Sequence, residues 1–275
     1  MKLQHNVKLP LLGLGTWQMG GRTTADYSLD KKEILAIQHA IEMGYSLIDT
    51  AELYGNGHAE ELVGTAMKGF DRKKLFIVSK VLWTHVGHDQ LLNAAKESLK
   101  RLGTDYLDCY LIHAPNGGVP IEETMHAMDL LVKEGLTQTI GVSNFNVPQM
   151  QAAMNATENP ILTNQIQYSL TTRNHGIHTE GMERDIIPFC QKNNITVMAY
   201  RPLEKGLLTQ PHSLLDELTQ KYSKTRAQIA LNWLITKNMV TIPKSSDENH
   251  LRENLGALGW NLSPQDMKKL DETKF

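Results

Sequence analysis

Asp49, Tyr54, Lys80 and His113 are the side chains whose types and order could do chemistry together. An ammonium and a carboxylate on neighbouring strands can pair, which places Lys80 beside Asp49. Tyr54 follows Asp49 by five residues, in the loop just above it. A phenol near an ammonium should have its pKa lowered, because the charge favours phenolate. A tyrosine poised this way can act as a general acid near neutral pH. His113 can donate a hydrogen bond to a carbonyl oxygen. Taken singly, each has a plainer explanation: Asp49 caps a turn, His113 is a satisfied core histidine, Lys80 reaches solvent. As a set they are harder to dismiss, because a core gains nothing from strands that end in groups needing solvent or a partner. No redox group is among them. The pairs His85/His88 and His175/His178 lack a carboxylate or cysteine at ligand spacing, so no metal is expected. The hard step is left to an organic cofactor.

These residues need elements to hold them. Eight apolar or β-branched runs read as strands: Leu11–Gly15, Tyr45–Asp49, Leu75–Val81, Tyr106–His113, Thr139–Ser143, Leu162–Ile166, Thr196–Tyr200 and Val240–Pro243. Amphipathic stretches lie between them. Ile34, Ile37 and Ile41 make one stripe, with Asp30 and Glu33 spaced like a capping box. Leu92, Ala95, Leu99 and Leu102 make another, stopped by Gly103, and Ile121, Met125, Met128 and Val132 a third, stopped by Gly135. Strand and helix alternating this way predict parallel strands covered on both faces. The expected fold is an α/β (β/α)₈ TIM barrel forming a single domain over residues 1–275, with an N-terminal β-hairpin (Leu3–Leu9) and a C-terminal extra helix opened by Ser263-Pro264. In such a barrel chemistry sits at the C-terminal strand ends. The ends are Asp49, Lys80 before Val81, His113, Ser143-Asn144, Gln165, Tyr200 and Lys244-Ser245.

A doubly wound sheet would carry a Gly-rich fingerprint after its first strand. Gly13-Leu14-Gly15-Thr16-Trp17-Gln18 lacks the third glycine, and Gly55-Asn56-Gly57-His58-Ala59-Glu60 follows the second strand and also fails. The charge balance, 28 basic against 30 acidic residues and a net −2, gives no case for nucleic acid or an anionic membrane as partner. There is no run of about 18 apolar residues to span a bilayer and no apolar segment near Met1 to read as a signal peptide. Cys109 and Cys190 fall in apolar stretches and read as reduced core residues of a cytoplasmic protein.

In order and spacing, these stretches resemble the aldo-keto reductase family. The matching pieces are Gly44-Tyr45-Ser46-Leu47-Ile48-Asp49-Thr50-Ala51 with Tyr54-Gly55-Asn56, Val78-Ser79-Lys80-Val81 and Leu111-Ile112-His113. Gly141-Val142-Ser143-Asn144-Phe145, Asn164-Gln165, Ala199-Tyr200 with Pro202-Leu203, and Ile242-Pro243-Lys244-Ser245 follow. The resemblance implies a reductase that turns small aldehydes or ketones into alcohols with NADPH, NADH being the alternative. It implies Tyr54 as proton donor, Lys80 lowering its pKa, Asp49 holding Lys80 and His113 orienting the carbonyl. Nicotinamide would stack on Tyr200, and Ser143, Asn144 and Gln165 would hold its carboxamide. Lys244 and Ser245 would meet the 2′-phosphate and Asn254 the adenine. Gly15, Thr16 and Trp17 would line the floor, and Trp17, Trp83, His113 and Ala114 the substrate pocket. Leu203 is placed with the cofactor residues.

Some positions depart from the family pattern. His250 stands where an Arg often follows Lys244 by six residues, and Arg201 replaces the usual Ser after Tyr200, where it could pair with a pyrophosphate. Ala114 replaces a bulky aromatic, so a more open pocket is expected. The pattern is nearest to small bacterial members that reduce methylglyoxal, diketo acids and simple aldehydes, and it implies a monomer. Two rival readings are a cofactor-binding regulatory subunit of the same fold and a phosphate-binding barrel isomerase or lyase. The second leaves the Asp49–Tyr54–Lys80–His113 set without a role.

Overall fold

All eight apolar runs become strands of one parallel sheet in the computed structural model, which describes residues 7–275. They are β1 (Gly13–Gly15), β2 (Leu47–Asp49), β3 (Phe76–Val81), β4 (Leu107–Ile112), β5 (Thr137–Ser143), β6 (Ile161–Gln167), β7 (Thr196–Tyr200) and β8 (Val240–Ile242). Each pairs with the next in sequence. The ring closes between β8 and β1, where Thr241 N donates to Leu11 O at 2.9 Å, just before β1, and Gly15 N, at its end, donates to Pro243 O at 3.1 Å. This is a (β/α)₈ barrel. The hairpin expected at Leu3–Leu9 falls mostly outside the described residues, and 7–9 form no strand.

Helices clothe the barrel: α1 (Asp30–Glu42), α2 (His58–Met67), α3 (His88–Leu102), α4 (Ile121–Lys133), α5 (Val147–Asn155), α6 (Ile187–Lys192), α7 (Ser213–Tyr222), α8 (Arg226–Thr236), α9 (Glu248–Leu255) and α10 (Pro264–Glu272). α3 ends as read, with Gly103 left-handed at φ 63°. α10 starts as read, with Ser263 Oγ accepting from Asp266 N and Pro264 in the first turn. The capping box at α1 does not form: Leu29 holds the N-cap position without a side-chain cap. Both acids are used in tertiary contacts instead. Glu33 Oε2 accepts from Gly20 N at 2.7 Å, and Asp30 Oδ1 lies 2.9 Å from His58 Nε2.

Two apolar layers result. The larger lies between strands and helices. The smaller fills the barrel and includes Leu47, Val78, Cys109, Leu111, Met198, Val240 and Ile242. Side chains alternate along a strand with period two. Two residues beyond Leu47 is Asp49, two beyond Val78 is Lys80, and two beyond Leu111 is His113. The apolar plug thus continues upward into a polar layer at the C-terminal mouth.

Candidate active site

The end of β2 and the body of β3 bring Asp49 and Lys80 together, both buried. Lys80 Nζ donates to Asp49 Oδ2 at 2.9 Å, to Thr50 O at 2.7 Å and to Tyr54 Oη at 3.2 Å. The other Asp49 oxygen accepts from Gln165 Nε2 at 2.7 Å. Tyr54 opens a turn, Tyr54–Gly57, in which Gly55, Asn56 and Gly57 have φ of 57°, 54° and 91°. That left-handed path suits glycine. A Cβ on Gly55 would also stand 2.2 Å from Gly20 O, so the turn can close over Lys80 only with glycine there.

His113 lies one residue beyond β4. Its backbone is pinned by N–H donation to Val81 O at 3.0 Å and by Asn144 Nδ2, which donates to His113 O at 3.1 Å. The ring packs edge-on to Tyr54, at 5.7 Å between centroids, and to Trp83, at 6.0 Å. Its Nδ1 is buried with no hydrogen-bond partner among the described residues. Trp17 packs edge-on to Tyr54 at 4.9 Å.

Burial governs the electrostatics. It pushes the His113 pKa well below the usual imidazole range, and the charges of Lys80 and His178 push the same way. The ring is neutral at pH 7 and can donate one hydrogen bond. In the ion pair, burial raises Asp49 and lowers Lys80, while each partner's charge opposes the other's shift. Tyr54 departs from the sequence expectation. Its pKa is pushed up, by burial first and then by the Asp49 charge, with only Arg201 acting to lower it. Burial and the Asp49 charge thus keep the phenol protonated.

Behind this cluster, Ser143 Oγ donates to Gln165 O at 2.9 Å and accepts from Asn144 Nδ2 at 3.0 Å. Tyr200 Oη donates to Asn144 Oδ1 at 3.0 Å. Asn144 is left-handed at φ 62°, which turns its amide back toward the mouth. A cavity of about 550 Å³ opens above, a volume usual for small-molecule and cofactor sites.

The predicted residues Gly15, Trp17, Asp49, Tyr54, Trp83, His113, Ala114, Ser143, Asn144, Gln165, Tyr200, Arg201, Leu203, Lys244, Ser245, His250 and Asn254 all line this cavity. Lys80 lies beneath it. Thr16 does not reach the wall: it is fully buried, with its hydroxyl donated to Asp49 O at 3.0 Å. Gln18, Leu53, Ile177, His178, Lys205, Gly206, Thr209 and Glu253 also line the cavity and were not read from the sequence. Most of these sit in loops without periodicity. Glu253 had a signal, since it adjoins Asn254 on α9.

A family model described as the aldo/keto reductase family matches residues 11–274. The chain belongs to the aldo/keto reductase family. Among relatives of this reductase, methylglyoxal reductase YeaE of Escherichia coli is 38% identical, the match covering 99% of this chain and 93% of that one. The crystal structure of the thermostable aldo-keto reductase Tm1743 with the inhibitor epalrestat is 46% identical, with a TM-score of 0.91 and coverage of 97% and 96%. An aldo-keto reductase from Klebsiella pneumoniae, solved with NADPH, is 37% identical, with a TM-score of 0.85 and coverage of 96% and 90%. Among the described residues of this reductase, no helix is long and apolar enough to cross a membrane.

Proposed function

We propose that this aldo-keto reductase, a single-domain barrel, reduces aldehyde and ketone carbonyls of small substrates to alcohols, with NADPH as reductant. The observation that carries the reading is the buried Asp49–Lys80–Tyr54 chain opening, beside His113, into the same cavity as Lys244 and Ser245. The donor set fits a nicotinamide dinucleotide. Ser143, Asn144 and Gln165 offer hydroxyl and amide groups, and Tyr200 an aromatic face. Lys244 has no carboxylate partner among the described residues, donates to Ser246 Oγ at 3.4 Å, and lines the cavity together with Ser245. Gly15, Trp17, Leu203 and Asn254 complete the wall, with Thr16 supporting it from behind. When bound, the cofactor supplies a hydride.

The chain's own residues do the rest. His113, neutral, donates a hydrogen bond to the substrate carbonyl oxygen and orients it. Tyr54 Oη holds the proton and gives it to that oxygen as charge develops there. A phenol held protonated by burial is in the form a donor needs, and an alkoxide is basic enough to take its proton. Lys80 Nζ, 3.2 Å away, stabilises the phenolate left behind, and Asp49 keeps Lys80 in place. Trp17, Trp83 and Ala114 shape the substrate side, and the small alanine leaves room rather than selectivity. Methylglyoxal is the substrate named for the Escherichia coli relative, and small activated carbonyls of that kind suit this wall.

The test is a panel of glyoxals, diketones, aromatic aldehydes and sugars, followed by NADPH absorbance. Oxidation of NADPH with the small activated carbonyls, matched by alcohol formed, is expected. Failure to oxidise NADPH with any of them would overturn the reading. We further take the protein to act as a cytoplasmic monomer; the free, buried Cys109 and Cys190 suit a reducing compartment. A dimer in sedimentation equilibrium, or fractionation with an extracytoplasmic compartment, would contradict this.

A further inference from the structure

Beyond β8, Lys244 Nζ donates to Ser246 Oγ at 3.4 Å and has no ion pair among the described residues. Ser246 also lines a shallow groove between α1 and α9, together with Lys31, Lys32, His39 and Glu248. The two helices approach there, with His39 Nδ1 3.6 Å from Glu248 Oε2. Lys32 precedes His39 by seven residues, two helical turns, and so shares its face of α1. It is exposed and in no ion pair among the described residues. Burial lowers the Lys244 pKa; the Glu33 charge opposes this, and the Lys32 charge, a smaller effect than Glu33's, lowers it further.

The nearby acids are already committed. Glu33 Oε2 accepts from Gly20 N, and Asp247 Oδ1 accepts from the backbone N–H groups of Asn249 and His250. Lys32 and Lys244 thus stand in each other's field with no ion pair to either among the described residues, while the charges of Glu33 at Lys244 and Asp247 at Lys32 offset the repulsion from a distance. Like charges so placed repel, at a cost that a direct partner would remove. An anion lodged against both would turn that cost into attraction.

We propose that Lys32 is a second cation of the cofactor's 2′-phosphate site, reaching it from α1 beside Lys244, and that it strengthens the preference for NADPH over NADH. The proposal rests on the NADPH reading above. A phosphomonoester carries close to two negative charges at neutral pH, whereas the 2′-hydroxyl of NADH carries none. Lys32 therefore acts on one cofactor and not on the other.

The test is direct binding. Trp17 and Trp83 line the cavity, so cofactor titrations can be followed by tryptophan fluorescence. Dissociation constants for NADPH and NADH are compared for wild type, Lys32→Gln, Lys32→Arg and Lys31→Gln. A solvated cation near a phosphate predicts that Lys32→Gln raises the NADPH constant about two- to fivefold and leaves that for NADH unchanged. Lys32→Arg should keep the wild-type ratio. Lys31→Gln removes the same charge from a residue that lines the same groove but is not among those whose charge acts on Lys244, and should have a clearly smaller effect. An unchanged NADPH/NADH ratio in Lys32→Gln, with wild type preferring NADPH, would overturn the role of Lys32 alone. Equal weakening of both cofactors, or an equal effect of Lys31→Gln, would do the same. Equal affinity of wild type for both cofactors would overturn this inference together with the reading of Lys244 and Ser245.

Discussion

Replacing Lys80 with methionine keeps an unbranched side chain, one atom shorter, and removes the charge paired with Asp49. In the native protein Lys80 Nζ makes three buried hydrogen bonds, to Asp49 Oδ2, Thr50 O and Tyr54 Oη. The variant leaves Asp49 with only the Gln165 amide, 2.7 Å from Oδ1. Removing one partner of a buried ion pair costs about 3–5 kcal/mol, because the other charge is stranded. Unfolding entropy of roughly 2.1 cal/mol/K per residue converts this to a Tm drop of about 5–9 °C for a chain of this length. The cost should depend on pH, and its sign follows from Asp49. Burial already raises its pKa and Lys80 opposes the rise, so without Lys80 it climbs further. A carboxyl whose pKa is higher folded than unfolded loses stability as pH rises from its unfolded value, about 4, through the folded one. The penalty should therefore be largest near pH 8 and smaller near pH 5, where a raised pKa leaves more of Asp49 protonated. Urea unfolding at the two pH values measures it, and adding Asp49→Asn should recover much of the loss at pH 8. A penalty that is the same at both pH values, or one of about 1 kcal/mol as for an exposed pair, would refute the buried-pair argument.

Gly15→Ala places a Cβ 2.8 Å from Ile242 O, at the seam where β1 meets β8, so the backbone must shift. A loss of about 1–3 kcal/mol in urea unfolding is expected, and an unchanged midpoint would show that the seam gives freely. His58 is drawn toward the neutral form by burial, but Asp30 at 2.9 Å and Glu61 at 2.7 Å outweigh this and its pKa is raised. The stability it contributes is full below the unfolded value, about 6.5, and is lost as pH rises through the folded one. His58→Ala should thus cost more in urea unfolding at pH 6 than at pH 8.5, and equal costs would rule out a charged His58.

The barrel was legible because its strands are buried on both faces and its helices on one. Thr196–Tyr200 matches to the residue, and Leu11–Gly15 was overrun only at the start, where Leu11 and Leu12 bond to β8 without forming strand. Strand ends also located Asp49, Lys80 and His113, since period-two alternation above an apolar plug leaves them facing the mouth. Tertiary competition for polar side chains was not legible. Glu33 and Asp30 looked like a cap and instead bind Gly20 and His58. Thr16 is adjacent to cavity residues yet bonds Asp49 O from behind. The phenol's pKa was misjudged because proximity to Lys80 was weighed without burial and without the Asp49 charge, both of which raise it. Ile177 and His178 lie in a loop held by Gln167 Oε1, which accepts from Ile177 N at 2.9 Å, a contact that no spacing rule foretells.

The central claim is that Tyr54 donates the proton in an NADPH-dependent carbonyl reduction, and Tyr54→Phe tests it most directly. The substitution removes one oxygen, 3.2 Å from Lys80 Nζ, and keeps the ring that packs against Trp17 and His113. Turnover of methylglyoxal with NADPH should fall about 10²–10⁴-fold, the usual contribution of a positioned acid, with the NADPH dissociation constant unchanged. Near-normal turnover in Tyr54→Phe would contradict the account.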